Sequence, residues 1–274
     1  MELPDSASGR SAEEIAREAA RLAREIILPR FQQMQGGSPI EKVSKGRGNY
    51  VTETDLMCEE AVLGLLRREF PEHKLLAEET AEAVEDWQTG WLWVIDPLDG
   101  TGNFARGIPT FAFNIALCWN GRPVVGLTDH IVSGDEFIAC EGGGLFINGV
   151  RTTVSPQVIL GESVTGFGLG YDYERAGAML HLLSSVWPAV QMLQNIGSAA
   201  LGLAYAASGR FDLYIHHYVF PWDIAAGIVQ VREAGGLILD RDGGEIGLYS
   251  EGLIAGAPGP VREFLEMAGA YPWR

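Results

Sequence analysis

The sequence predicts an α+β half followed by an α/β half, packed as layers. Three observations predict it. Two apolar repeats at helical spacing open the chain, short strands joined by tight turns follow to about residue 150, and strand-like and helical segments alternate from there on. At 274 residues the chain can bury one large core or two closely packed lobes. The expected halves are residues 1–150 and 151–274, built into one compact unit.

Ser11-Ala12-Glu13-Glu14 has the form of a capping box, and Ile15, Ala19, Leu22 and Ile26 follow on one helical face, with Pro29 as the expected stop. Residues 36–49 are rich in Gly, Ser and Lys and read as a loop. A second helix is expected from Asp55 to Phe70, with Leu56, Leu63, Leu66 and Phe70 inward and Pro71 ending it. Lys74 to Ala77, Trp91 to Ile95, Phe111 to Cys118, Val124 to Thr128, Glu136 to Cys140 and Gly144 to Ile147 read as strands. Asn120-Gly121 and Asn148-Gly149 supply hairpin turns between them. In the second half, strands are expected at Ser163 to Gly166, Phe211 to Ile215 and Leu237 to Asp240. Helices are expected near Arg175 to Val186, Ser198 to Ala207 and Asp223 to Glu233, and a last one starts at Gly259-Pro260.

Thirty-six Asp and Glu against 20 Lys and Arg give a formal charge of −16. That balance repels nucleic acid and anionic membrane, so neither is expected as a partner. It also repels an anionic substrate unless bound cations reverse the sign locally. Cys58, Cys118 and Cys140 show no metal or redox spacing and read as buried thiols, which points to the cytoplasm. No apolar run approaches the length of a membrane span, and the first residues lack the pattern of a signal peptide.

The run Trp91-Leu92-Trp93-Val94-Ile95-Asp96-Pro97-Leu98-Asp99-Gly100-Thr101 delivers two carboxylates at the end of an apolar strand. Two carboxylates about 4 Å apart repel by roughly 4 kcal/mol at an effective dielectric of 20, so they require a shared proton or a cation. Oxygen donors without His or Cys favour Mg²⁺, Mn²⁺ or Ca²⁺ over Zn²⁺. Gly100 lets the backbone approach a ligand, and Thr101 offers a hydroxyl that can orient a water. An Asx turn with both aspartates solvated fits the same spacing. Glu78-Glu79 after a short strand and Asp223 at the head of a small-residue helix add carboxylates. Taken singly, each is satisfied by a solvated pair or a helix cap.

Together these segments resemble the inositol monophosphatase family of metal-dependent, lithium-sensitive phosphatases. Val51-Thr52-Glu53-Thr54-Asp55, Ala77-Glu78-Glu79, Asp96 to Thr101, Gly197-Ser198-Ala199-Ala200 and Trp222-Asp223-Ile224-Ala225-Ala226-Gly227 stand in the family's order. The resemblance implies a layered αβαβα sandwich of the inositol monophosphatase and fructose-1,6-bisphosphatase type, with the site between the halves. It implies two or three Mg²⁺ ions, replaceable by Mn²⁺ and inhibited by Li⁺, held by Glu78, Asp96, the Leu98 carbonyl, Asp99 and Asp223. It assigns water activation to Glu78 and Thr101 with Asp55 behind them. It assigns the phosphate and adjoining hydroxyls to Gly100, Thr101, Gly197, Ser198 and Ala199. A homodimer acting on a small phosphorylated metabolite is expected.

The leading substrate by this resemblance is inositol monophosphate or a related sugar phosphate. Fructose-1,6-bisphosphate, histidinol phosphate and a 3′-phosphorylated nucleotide are alternatives in the same chemistry. A weakly active regulatory or interaction protein and a structural cation-binding domain are alternatives of other classes. The sequence departs from the family at Ala77, where a glycine is usual, at Gly102, and at His216, where inositol phosphatases carry a glutamate that accepts from substrate hydroxyls. Lys45 stands near a family lysine, but the spacing assigns it no role.

Overall fold

A computed structural model of the chain describes residues 3–37, 40–46, 49–80 and 86–269. It opens with α1 (Ala12–Gln35), which begins in the expected capping box: the Ser11 side chain accepts from the Glu14 N–H, and the Glu14 carboxylate accepts from the Ser11 N–H. The helix runs through Pro29 rather than stopping there. Pro29 and the residue one turn before it, Glu25, are both exposed, so water can take the carbonyl that the missing N–H leaves.

The expected loop is instead a hairpin, β1 (Lys42–Gly46) against β2 (Asn49–Thr52). Its tip, residues 47 and 48, lies outside the described residues, as do residues 38 and 39 of the same stretch. Tertiary contacts define this hairpin: Tyr50 lies under the cations of Lys42 and Arg106, and Lys45 reaches Glu78 and Glu79. Helix α2 (Glu53–Glu69) follows, two residues earlier than its apolar periodicity suggested. Leu63, Leu66 and Phe70 are inward as expected, whereas Leu56 is 50% exposed because its face of the first turn borders the hairpin rather than the core.

A seven-stranded sheet comes next, with strands in sequence order: β3 (Lys74–Ala77), β4 (Trp91–Asp99), β5 (Ala112–Trp119), β6 (Arg122–His130), β7 (Asp135–Cys140), β8 (Gly144–Ile147) and β9 (Val150–Thr152). Only β3 and β4 pair in parallel. The two Asn-Gly turns hold as read, each with both residues at positive φ. Strand β4 continues past Ile95 to Asp99, with a register shift between Asp96 and Asp99. The four-residue helix α3 (Thr101–Phe104) follows it directly.

The second sheet has the order β11-β10-β12-β14-β13, made by β10 (Val164–Gly168), β11 (Met192–Asn195), β12 (Leu213–His216), β13 (Leu237–Asp240) and β14 (Leu253–Gly256). The helices between are α4 (Tyr173–Val186), α5 (Ala199–Ala207), α6 (Pro221–Glu233) and α7 (Pro258–Ala268). Strands β9, β11 and β14 were not expected. Two are exposed edge segments of three or four residues, and β14 is a buried four-residue run whose periodicity is too short to read. Helix α7 starts at Pro258, so Pro258 rather than Pro260 takes the first helical position.

Four apolar clusters bind these elements into layers, one of them between Ala225 and Ala226 of α6 and the large sheet. Helices α1 and α2 cover one face of the large sheet. Helices α5 and α6 fill the space between the large sheet and the small one. Helices α4 and α7 close the outer face of the small sheet. The order is αβαβα, as the resemblance implies. Among the described residues no helix is long and apolar enough to cross a membrane.

Helix α6 lies unusually close to the large sheet. A methyl placed on Gly126 of β6 would stand 2.5 Å from the Ala226 carbonyl oxygen and 2.7 Å from its α-carbon, both backbone atoms of α6. Gly126→Ala is therefore expected to lower stability by about 1–3 kcal/mol, the usual penalty of overpacking. Urea unfolding measures this, and a loss below about 0.5 kcal/mol would contradict the close approach.

Candidate metal centre

Strand β4 ends where the large sheet meets the middle helices, and there its two aspartates leave the ladder. Asp96 is fully buried, and its Oδ1 accepts from the Leu98 N–H at 3.0 Å, the Asx turn that the spacing allows. Three residues on, Asp99 points at the start of α5. It accepts from the Ala200 N–H at 2.8 Å, from the Ala199 N–H at 3.3 Å and from the Ser198 hydroxyl. Ser198 also caps α5, accepting from the Leu201 N–H at 3.2 Å. Gly197, Ser198 and Ala199 are thus held against the β4 turn by Asp99.

Asp223 arrives from α6. Its Oδ2 accepts from the Phe220 N–H at 2.7 Å, so it caps the helix while facing the other two aspartates. Ligand oxygens of Asp96, Asp99 and Asp223 lie within 4.8 Å of one another. Glu78, at the end of β3, is within hydrogen-bond reach of Asp96. The Thr101 hydroxyl lies 3.0 Å from the Leu98 carbonyl oxygen and 2.8 Å from Asp55 Oδ1, and its single proton goes to the nearer, carboxylate acceptor. Asp55 is also held by the Thr52 N–H and hydroxyl. Gly100 makes the turn possible: it sits at φ +94°, and a methyl there would press on the Thr110 and Gly197 carbonyls at 3.1 and 3.3 Å.

Every one of these carboxyls is pushed above its ordinary pKa. Burial is the first cause for Asp96, Asp99, Asp223, Glu78 and Asp55. Mutual repulsion adds to it for Asp96, Asp223 and Glu78. Among the described residues, Lys45 is the only cation paired with this group. Its Nζ is 3.3 Å from Glu78 and 2.6 Å from Glu79, whose carboxyl burial still raises to about 7. Sequence spacing had given Lys45 no role, since it reaches the centre only through the β1–β2 hairpin. Five carboxyls, three of them buried and two part-buried, and one lysine leave the centre short of positive charge. Oxygen donors of this kind, with a backbone carbonyl beside them, fit hard divalent cations.

A cavity of about 390 Å³ opens from the aspartates toward the small sheet. Asp99, Gly100, Gly197, Ser198, Ala199, His216 and Asp223 all line it. The structure therefore brings Asp99, Asp223, the Gly100 turn, the Gly197 segment and His216 to one space, whereas Asp96, Glu78, Asp55 and Thr101 do not line it. Asn103 and Tyr171 line it as well, and neither was legible in the sequence. Asn103 bridges the halves, donating to the Thr110 and Ile196 carbonyls at 2.7 Å each. Half-exposed Tyr171 stands at the mouth, where partial burial and the nearby carboxylates raise its phenol pKa.

The fold and this centre together define a class. The chain matches the inositol monophosphatase family over residues 10–269 and belongs to it. It is 37% identical over 252 residues to the Nus factor SuhB of Pasteurella multocida, an alignment that spans 92% of this chain and 93% of that protein. It is 34% identical over 257 residues to inositol monophosphatase 1 of Solanum lycopersicum, spanning 92% of each. The crystal structure of extragenic suppressor protein suhB from Bartonella henselae superposes with a TM-score of 0.86 at 33% identity, covering 93% of this chain and 97% of that one.

Raised carboxyl pKa values have a defined effect on stability. Between the ordinary carboxylate range near 4 and the raised values, the folded chain binds more protons than the unfolded one, so metal-free stability falls as pH rises. Asp223→Asn is expected to raise the melting temperature of the metal-free protein at pH 8. Mg²⁺ should stabilise the unsubstituted protein more at pH 8 than at pH 5.5. Thermal melts with EDTA or Mg²⁺ check both, and a Mg²⁺ shift that does not depend on pH would contradict the charge argument.

Proposed function

We propose that this chain is a Mg²⁺-dependent phosphomonoesterase acting on a small phosphorylated metabolite, with inositol monophosphate or a related sugar phosphate as the reference substrate. The observation that carries the reading is the convergence of Asp96, Asp99 and Asp223, from two separate parts of the chain, beside a hydroxyl–carboxylate pair. Glu78, Asp96, the Leu98 carbonyl, Asp99 and Asp223 are the residues that would hold Mg²⁺. When bound, the ions would neutralise phosphate oxygens and acidify a water.

The chain's own groups do the positioning. The Thr101 hydroxyl is directed at Asp55 Oδ1, which leaves the lone pairs of its oxygen free to accept from the attacking water. Asp55 is buried and disposed to take a proton, so proton movement from water through Thr101 toward Asp55 is a short relay. Glu78 flanks the same space on the β3 side. The backbone N–H groups from Gly100 and Thr101 would face the phosphate, with the Gly197–Ala199 segment opposite.

Family membership and the similarity to a phosphatase of Solanum lycopersicum support this reading. A second reading, a protein acting through interactions with another macromolecule, is favoured by one observation: similar proteins carry the name Nus factor SuhB. The complete carboxylate set favours catalysis.

Purified protein is expected to release inorganic phosphate from inositol 1-phosphate or another small ester with Mg²⁺, to lose that activity with EDTA, and to be inhibited by Li⁺. Thr101→Ala should lower kcat by about 10²–10⁴, the range for a lost proton-transfer group, with a much smaller change in KM. Absence of phosphate release from every ester in a broad panel would favour the second reading.

A further inference from the structure

Asn103 lies on α3, just after the Gly100 turn, and its side chain spans the two halves of the chain. Its Nδ2 donates to the Thr110 carbonyl in the loop before β5 and to the Ile196 carbonyl just after β11, each at 2.7 Å. Carbonyl oxygens only accept, so the NH₂ end of the amide must face them, and both of its protons are committed. Gly197 permits the close approach. It sits at φ +71°, and a methyl there would stand 2.8 Å from Asn103 Nδ2.

The carbonyl held on the small-sheet side leads straight into the head of α5. Gly197 follows Ile196, and Ser198, Ala199 and Ala200 then hold Asp99. The loop on the other side is held a second time. His130 Nε2 lies 3.0 Å from the Pro109 carbonyl, a contact that requires the ring proton on Nε2. The bare Nδ1 then accepts from the Tyr205 hydroxyl at 3.3 Å. Tyr205 stands toward the far end of α5, so Asn103 fixes the head of that helix and His130 its body, both against one loop. Two separated anchors set where a helix lies and also stop it from pivoting.

This brace bears on the site because the two segments that would face the phosphate belong to different halves. Gly100 and Thr101 follow β4, whereas Gly197 to Ala199 open α5. Chain connectivity does not set the gap between them. Asn103 does, with its backbone N–H on the Gly100 carbonyl at 2.8 Å and its side chain on Ile196. The side chain lines the cavity, yet its protons face the chain's own carbonyls, so it acts through α5 rather than on a substrate.

We propose, resting on the phosphatase reading above, that Asn103 is a positioning residue for phosphate-ester hydrolysis. Its amide sets the gap between the Gly100–Thr101 turn and the Gly197–Ala199 segment. Through Ser198 and Ala200 it also sets the direction of the Asp99 carboxylate. Without the amide two carbonyls lose their donor, and the head of α5 relaxes away from the turn. A misplacement of about 1 Å around a reacting centre costs about 10²-fold in rate.

The test uses the full chain carrying Asn103→Leu, which removes both donors, keeps a similar volume and adds no charge. Asn103→Ala is the second variant if leucine prevents folding. With Mg²⁺ and the ester that the unsubstituted protein turns over fastest, kcat should fall about 10–100-fold at a temperature where the variant is folded. The Mg²⁺ dissociation constant, measured by calorimetry without substrate, should rise at least about fivefold as Asp99 loses its fixed direction. A kcat within twofold of the unsubstituted protein overturns the proposal, however far the melting temperature falls, and leaves the phosphatase reading standing. If the unsubstituted protein hydrolyses no ester in a broad panel, the phosphatase reading falls and calorimetry decides. Weakened Mg²⁺ binding then upholds the positioning of Asp99, and unchanged binding overturns it. An unsubstituted protein that neither binds Mg²⁺ nor releases phosphate overturns both.

Discussion

The structure depends on how closely α6 can approach the large sheet. Gly126 on β6 offers no side chain at the crossing, and Ala225, Ala226 and Gly227 offer little from the helix, so backbone meets backbone. Gly227 makes room for the Leu203 side chain of α5. A helix carrying larger residues on that face would stand off by an ångström or more. Asp223, on the first turn of α6, would then no longer face Asp96 and Asp99. The three-carboxylate centre is a consequence of small residues at a helix–sheet contact.

Close packing also creates an electrostatic problem. It drives several like charges out of water, and each is held in place by hydrogen bonds from local N–H and O–H groups rather than by cations. Asp99 takes the head of α5, Asp223 caps α6, Asp96 takes its own turn, and Asp55 takes Thr52 and Thr101. These bonds fix where the oxygens point, yet they leave the net charge uncompensated. Lys45 is the partial exception, and it stands on the hairpin at the edge of the centre. Geometry set by the protein and charge left unmet are together what a hard cation requires.

The cavity joins two kinds of chemistry. One end holds carboxylates and exposed backbone, suited to cations and phosphate. The rest of the lining is mixed, with Arg106, Asn103 and Asn195 beside aromatic rings and His216. The same β12–α6 connection supplies both ends, with His216 at the strand terminus and Asp223 seven residues later. A change in that short segment can therefore alter what the leaving-group pocket accepts without moving the helix that bears Asp223.

The sequence alone determined the class. Strand-end aspartates in the run Asp96 to Thr101 and the head of α6 at Asp223 are local patterns, because turn geometry and helix caps are set by neighbouring residues. The two Asn-Gly hairpins were legible for the same reason. Tertiary structure decided the rest. Lys45 reaches Glu78 only because a lysine-rich stretch pairs as a hairpin, Asn103 ties the halves by bonding carbonyls far along the chain, and Tyr171 reaches the mouth from a loop. Strands β9, β11 and β14 are too short to show a period, and their pairing partners define them. The sequence marked His216 as a departure, but its place against Gly168 and beneath the Tyr218 N–H follows from contacts that exist only once the small sheet is assembled.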